Sequence, residues 1–285
     1  MSRTILFEGQ PPKNITGKNG AAQARVRVRT VALPTEHGGW GLMLEPVVLG
    51  LLVAPSVPGL FIAVATMGAF LARHPFKIVA GDRRRGRRFP RTAVAERFTL
   101  LYAAVAVAGL LAASVSAVSH QFFLPLLLAA PFAAVQLKFD ATGRSRALAP
   151  EVAGSLGLAA VSASIALADG WSLPAAAGLW AVLAARVVPT ILYVRARLSL
   201  KRGETPGRSP VIIAHVCALM AVAALVFMRL LPILAVAALS VLFLRAVIGL
   251  SRNPQLASAK QIGIRELGYG VMTVLAVAAG HLIAR

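Results

Sequence analysis

The stretch from Trp180 to Val194, W-A-V-L-A-A-R-V-V-P-T-I-L-Y-V, decides how the chain is read. With the residues before it, it forms an apolar run near 173–194, long enough to cross a bilayer as a helix, since about 20 residues span the hydrocarbon. Arg186 stands inside that run. A cation in lipid costs roughly 2.5 kcal/mol or more, and such residues mark a site or an ion pair. Further apolar runs lie near 40–55, 58–73, 97–117, 121–137, 150–168, 210–228, 231–250 and 266–283. The expected fold is therefore all-α: a polytopic membrane protein of nine transmembrane helices.

Composition agrees. The 285 residues are 58% hydrophobic and only 14% charged, with mean hydropathy +0.74, more apolar than a soluble domain of this length. The net charge of +20 points away from nucleic acid, because the basic residues fall between apolar runs, where they set topology and attract anionic lipid. Six Lys/Arg precede Trp40, nine lie in 73–97, three in 138–146, five in 195–208 and three in 252–265, which is 26 of the 30. By the positive-inside rule the N-terminus is cytoplasmic, and nine spans put the C-terminus outside, in a bacterial cytoplasmic membrane. Residues 1–33 read as a flexible basic tail and 34–285 as one transmembrane domain. Cys217, the single cysteine, excludes an internal disulfide and reads as a small packing residue.

An internal echo divides the spans into two four-helix halves plus a final helix. Leu44-Glu45-Pro46 opens the first half and Ala149-Pro150-Glu151 the second. Ala72-Arg73 is followed by Pro75, and Ala185-Arg186 by Pro189. In transporters built from repeats, sites lie between the halves.

The candidate residues follow from position. Arg73 and Lys77 are one helical turn apart, with His74 three residues before Lys77, so the three can share a face. They either hold an anion or snorkel at a helix end, with His74 packed in a turn at Pro75. Arg186, Tyr193 and Arg197 line one stripe, Arg186 about 16 Å from Arg197 at 1.5 Å per residue, and Arg195 flanks them. Arg186 is either a site or paired with Glu45 or Glu151. Glu36 and His37, entering the first span, serve as acid, base or ligand, or else as cap and anchor. Glu151 and Glu266 each begin a span, where carboxylates suit helix N-termini. Arg83-Arg84-Arg85-Gly86-Arg87-Arg88 reads either as a lipid-headgroup and topology element or as a phosphate grip. Glu45, Glu151 and His37 are the candidates for acid–base chemistry. No metal-binding, nucleotide-binding or serine-hydrolase motif is present, so no metal site is expected and no cofactor can be named.

The segments P-T-E-H-G-G-W-G-L-M-L-E-P, A-R-H-P-F-K and A-R-V-V-P-T-I-L-Y-V-R-A-R-L resemble the YwiC-like family of bacterial membrane proteins, from about residue 33 onward. The architecture, with polar clusters after spans two and six, more weakly resembles the UbiA superfamily of intramembrane prenyltransferases. That likeness implies a prenyl diphosphate ligand. The chain departs from the pattern: Arg73, His74, Lys77, Arg186, Tyr193, Arg195 and Arg197 stand where that superfamily carries its magnesium-binding aspartates, with only Asp82 nearby. Cations contact an anion directly but build no magnesium cage. Three functions fit: a cationic, cytoplasm-facing cavity for an anionic or isoprenoid-type lipid, as in a divergent transferase; a transporter of a small anion or lipid; or a non-catalytic assembly factor whose buried charges pair only with each other.

Overall fold

The computed structural model describes residues 27–34, 37–251 and 258–284. Among these the regular structure is entirely helical, as the hydropathy pattern predicts. A five-residue helix, α1 (Val28–Ala32), precedes α2 (His37–Val53), α3 (Val57–Arg84), α4 (Pro90–Ser116), α5 (Phe123–Ala141), α6 (Leu148–Ala168), α7 (Leu173–Lys201), α8 (Ser209–Phe227), α9 (Ile233–Ser251) and α10 (Ala259–Ile283). The helices α3 to α10 are eight elements long and apolar enough to cross a membrane, and α2 is a shorter apolar helix. The chain is a multi-pass membrane protein. Each of the nine apolar runs in the sequence corresponds to one of α2 to α10.

Several boundaries differ from those the hydropathy suggests. The helix α3 continues through Pro75 to Arg84, and α7 continues to Lys201. Arg73, His74 and Lys77 are thus mid-helix, and His74 does not sit in a helix-ending turn. Hydropathy locates where a helix leaves lipid, whereas backbone hydrogen bonds keep it going into the polar zone. Ser56 caps α3, its hydroxyl accepting from the Gly59 amide, and Pro58 occupies the first turn, where a missing N–H costs nothing. Glu266 is the eighth residue of α10, one turn beyond the N-terminal capping region it was expected to occupy. Cys217 is exposed on α8, not a packing residue. Of the 1–33 tail, only residues from Arg27 onward are described, and the rest lies outside the described residues.

The helix α6 is the most buried span and forms the axis of the fold. On one side α3 and α4 make a close pair beside α6 and α5. Glycines set that crossing: a Cβ at Gly68 would stand 2.7 Å from the Tyr102 carbonyl oxygen, and one at Gly109 would stand 2.8 Å from the Phe61 carbonyl oxygen. Small residues let backbones touch in this way where lipid offers no hydrophobic drive. On the other side α6, α7, α8, α9 and α10 follow one another in space, and α2 packs against both α10 and α6. A first-half helix thereby closes a ring made otherwise of the second-half helices and the final helix.

The two ends of the bundle are chemically distinct. Arg84 donates to the Thr142 carbonyl and Arg195 to the Arg146 carbonyl at 3.1 Å, which ties the basic connections together at one end. Trp171 and His281 meet edge-to-face at the other, their ring centroids 5.4 Å apart.

Candidate functional site

The structure sorts the predicted residues into three places. The first is a cleft where α2 begins, lined by Pro34, Gly39, Phe70, Arg73, His74 and Lys77. Arg73 and His74 are adjacent on α3 and Lys77 is one turn further on, and all three line the cleft, as their spacing predicts. Phe70 forms the apolar wall, and Trp40 packs edge-on against it with ring centroids 5.2 Å apart. Arg73 is held by two bonds to Asp140 on α5, Nε to Oδ2 at 2.6 Å and Nη2 to Oδ1 at 3.1 Å. Asp140 is fully buried, whereas the Arg73 side chain keeps 24% of its exposure, so one edge of the guanidinium still faces the cleft. The ring of His74 lies 3.1 Å from the Thr30 carbonyl oxygen through Nε2, and so joins α1 to α3. The cleft is small, about 20 Å³, room for a water or two and not for a whole substrate.

Asp140 escapes sequence reading because it lies 67 residues from its partner at the end of an apolar run. Asp140→Asn is expected to lower stability by about 1–3 kcal/mol, because Arg73 loses its countercharge and one of its two acceptor oxygens becomes a donor NH2. Thermal unfolding of the detergent-solubilised protein reads this directly, and an unchanged midpoint would contradict it.

The second place is the rim. Glu151, in the first turn of α6, accepts from Arg195 Nη1 at 2.9 Å. Both side chains are about two-fifths exposed, so this pair contributes little to stability. The arginine run of the α3–α4 connection is likewise largely engaged. Arg83 and Arg88 both bind Glu96, and Arg91 binds Asp82 with both Nε and Nη2, while Thr92 donates its hydroxyl to the same carboxylate.

The third place lies inside the ring of helices. Arg186 on α7 pairs with Glu45 on α2, Nη1 to Oε2 at 3.0 Å, with side-chain exposures of 3% and 8%. Of the two acids the sequence offers Arg186, the structure selects Glu45. Arg186 Nη2 also donates to the Glu266 backbone carbonyl at 2.9 Å. The Glu266 carboxylate in turn binds Arg245 on α9. Arg245 Nη2 reaches His215 Nε2 on α8 at 3.3 Å, while His215 Nδ1 lies 2.8 Å from the Val211 carbonyl oxygen. That geometry fits a neutral imidazole with its proton on Nδ1 and its Nε2 lone pair toward Arg245. The guanidinium of Arg245 rests over the Tyr193 ring, 4.1 Å from its centroid, and 5.2 Å from that of Tyr269. Arg197 donates to the Gly249 carbonyl at 2.5 Å. The stripe of Arg186, Tyr193 and Arg197 is real, and all three face the ring.

Five helices, α2, α7, α8, α9 and α10, thus each contribute one member of a buried charge cluster. Two carboxylates balance two guanidinium groups, as a low-dielectric interior requires. Glu45, Glu266, His215 and Arg245 each stand six to eight residues from the helix end nearest the basic connections, or about 9–12 Å at 1.5 Å per residue. They form one layer. Gly270 allows it: a Cβ there would run into the Glu45 carboxyl and lie 2.7 Å from Arg186 Nη2.

Arg73 and Arg186 share no partner, so the equivalence suggested by their matching positions does not bring them to one site. Sequence reasoning missed His215 altogether and gave Arg245 no role. It also treated Glu266 as a helix-start acid. The available signal was charge balance, since two in-span arginines call for two in-span carboxylates. Glu36 and the His37 side chain lie outside the described residues.

The opening segment with Glu45 belongs to a stretch with known counterparts. Residues 33–168 match the YwiC-like protein family. The match bears out the resemblance carried by P-T-E-H-G-G-W-G-L-M-L-E-P and A-R-H-P-F-K, and it ends with α6. The YwiC-like region therefore holds the cleft of Arg73, His74 and Lys77 with Asp140, and it supplies Glu45 and Glu151. The other four members of the buried cluster lie beyond it. No curated protein and no solved structure matches the chain.

Proposed function

We propose that the protein binds the anionic headgroup of a membrane lipid, of isoprenoid type, at the cleft of Arg73, His74 and Lys77. The observation that carries this is the convergence of those three side chains on one cleft beside the apolar Phe70 and Trp40, with one carboxylate, Asp140, to balance them. A phosphate or diphosphate needs cationic donors beside an apolar surface for its chain, and a guanidinium edge with a neighbouring ammonium supplies the donors. The headgroup would rest at the mouth of the cleft, displacing its water, with the chain lying along α2 and α3 in the bilayer.

In this reading the basic end is cytoplasmic and the membrane is the bacterial inner membrane, as 26 of 30 Lys/Arg on one side imply. The N-terminus is inside and the C-terminus outside. The UbiA-like parallel contributes the class of ligand and no catalytic assignment, because Asp140 is committed to Arg73. Among the described residues no three His, Cys, Asp or Glu side chains come together as a metal site. Glu45 and Glu151 are engaged with Arg186 and Arg195, so charge balance is the role proposed for them rather than general-base chemistry.

The test is calorimetric titration of detergent-purified protein with farnesyl diphosphate and, separately, with short-chain phosphatidylglycerol. Farnesyl diphosphate is expected to bind more tightly, and Lys77→Gln with Arg73→Gln to weaken it about tenfold or more, the scale of one lost charged contact. Equal affinity for both ligands would reduce the site to a general anionic-lipid contact. Unchanged affinity in the variants would refute the cleft.

A further inference from the structure

We propose that α1 is a strap that closes the cleft of Arg73, His74 and Lys77 and is displaced when a headgroup enters. The strap rests on the reading of that cleft as the headgroup site and adds how access to it is controlled.

Three observations support it. First, the cleft is too small as it stands. It has space for a water or two, about 20 Å³, and a phosphate is larger than that. A headgroup at the mouth reaches further in only if a wall withdraws. Second, the walls are held differently. Gly39 belongs to α2, and Phe70, Arg73, His74 and Lys77 belong to α3, both helices packed into the bundle. Pro34 is the lining residue that comes from the segment anchored by α1. That anchor is slight. Val31 sits with Val79 of α3 and Ala95 of α4 in a small apolar cluster apart from the main core. Val31 and Ala32 are buried, whereas Val28, Arg29 and Thr30 are exposed. A five-residue helix on so small a seat lifts at far lower cost than a bundle helix moves.

Third, the strap holds a donor that the headgroup needs. His74 Nε2 lies 3.1 Å from the Thr30 carbonyl oxygen. A carbonyl oxygen only accepts, so Nε2 carries the hydrogen. An ionised phosphate oxygen is likewise an acceptor. The Thr30 carbonyl therefore stands in for a headgroup oxygen, and a single N–H makes one well-aligned bond at a time. On binding, the His74 Nε2–H passes from the Thr30 carbonyl to the headgroup. Pro34 withdraws with the strap, and the cleft widens beside the free edge of Arg73. No covalent bond changes. The freed Thr30 carbonyl is hydrated at once, because Thr30 is already exposed. What the ligand must offset is the apolar seat of Val31. The strap thus lowers apparent affinity by the fraction of time that the cleft is open.

The test uses the full chain in detergent micelles with farnesyl diphosphate as probe. The Thr30 and Leu33 amides donate to the Arg27 and Arg29 carbonyls. Their hydrogen–deuterium exchange should become several-fold faster when the probe is bound. Val31→Asn places a neutral polar group in the apolar seat and leaves the charge of the cleft unchanged. Its α1 amides should exchange fast without the probe. In calorimetric titration it should bind the probe about tenfold more tightly than the parent, as expected for a strap closed about nine-tenths of the time. Adding Lys77→Gln to Val31→Asn should weaken binding again. Exchange at Thr30 and Leu33 that is unchanged or slower with the probe bound overturns the strap. So does a Val31→Asn variant with fast α1 exchange and no gain in affinity. If Lys77→Gln still weakens binding in either case, the headgroup site stands without the strap. No binding by the parent or by Val31→Asn overturns both.

Discussion

Arg186→Gln alone should destabilise the protein by about 3–5 kcal/mol, because it leaves Glu45 buried and unpaired. Glutamine is long enough to keep some packing and can donate one hydrogen bond, but it cannot neutralise a carboxylate that is 8% exposed. The loss also reaches Glu266, whose backbone carbonyl accepts from Arg186 Nη2. Adding Glu45→Gln should recover most of the stability, since replacing both partners of a buried pair by neutral groups is far cheaper than removing one. Thermal unfolding in detergent micelles, with the two single variants and the double variant in one cycle, gives the coupling. A double variant as unstable as Arg186→Gln would show that the pair matters through something other than its charges.

The second large effect is steric. Gly68 and Gly109 lie where α3 crosses α4, and the atoms that an added Cβ would strike are backbone: the Tyr102 carbonyl oxygen at 2.7 Å and the Ala106 amide nitrogen at 2.8 Å for Gly68, and the Ala65 amide nitrogen and Phe61 carbonyl oxygen, both at 2.8 Å, for Gly109. A flexible side chain could swing away, but a helix backbone cannot, so the helices must separate along their length. Gly68→Leu or Gly109→Leu should each cost about 1–3 kcal/mol or more from overpacking. Together they should prevent α3 and α4 from docking, which would appear as aggregation on size-exclusion chromatography. Wild-type elution and unfolding of the double variant would show that the crossing has room that the geometry denies.

Much of this fold is legible in the sequence because lipid imposes a single rule: a span must be apolar and helical. Each apolar run became a helix for that reason. The polar ends were not legible. Nothing in A-R-H-P-F-K says that α3 continues to Arg84, since hydropathy falls there while the helical hydrogen bonds go on and Pro75 is absorbed within the helix. The site was legible in part. Arg186 stood out because a lone cation in an apolar run is costly, and Glu45 was one of two acids that could answer it. The rest of the cluster depends on ring closure by α2 and α10, a tertiary fact separating partners by 80 residues in the case of Arg186 and Glu266. Asp140 was hidden for the same reason. His215 carried no signal, because one histidine in an apolar helix is ordinary packing until a guanidinium is found against it.

Ring closure by α2 also bears on how the protein is made. Glu45 leaves the ribosome 141 residues before Arg186 and more than 200 before Glu266. While the later helices are being synthesised, α2 carries a carboxylate with no arginine to meet it. The nascent chain therefore has to hold α2 apart from lipid, neutral, or beside an insertion factor until α7 arrives. A truncation after α6, which keeps the whole YwiC-like region, would retain this orphan acid and become a substrate for membrane quality control, whereas the same truncation with Glu45→Gln would persist longer.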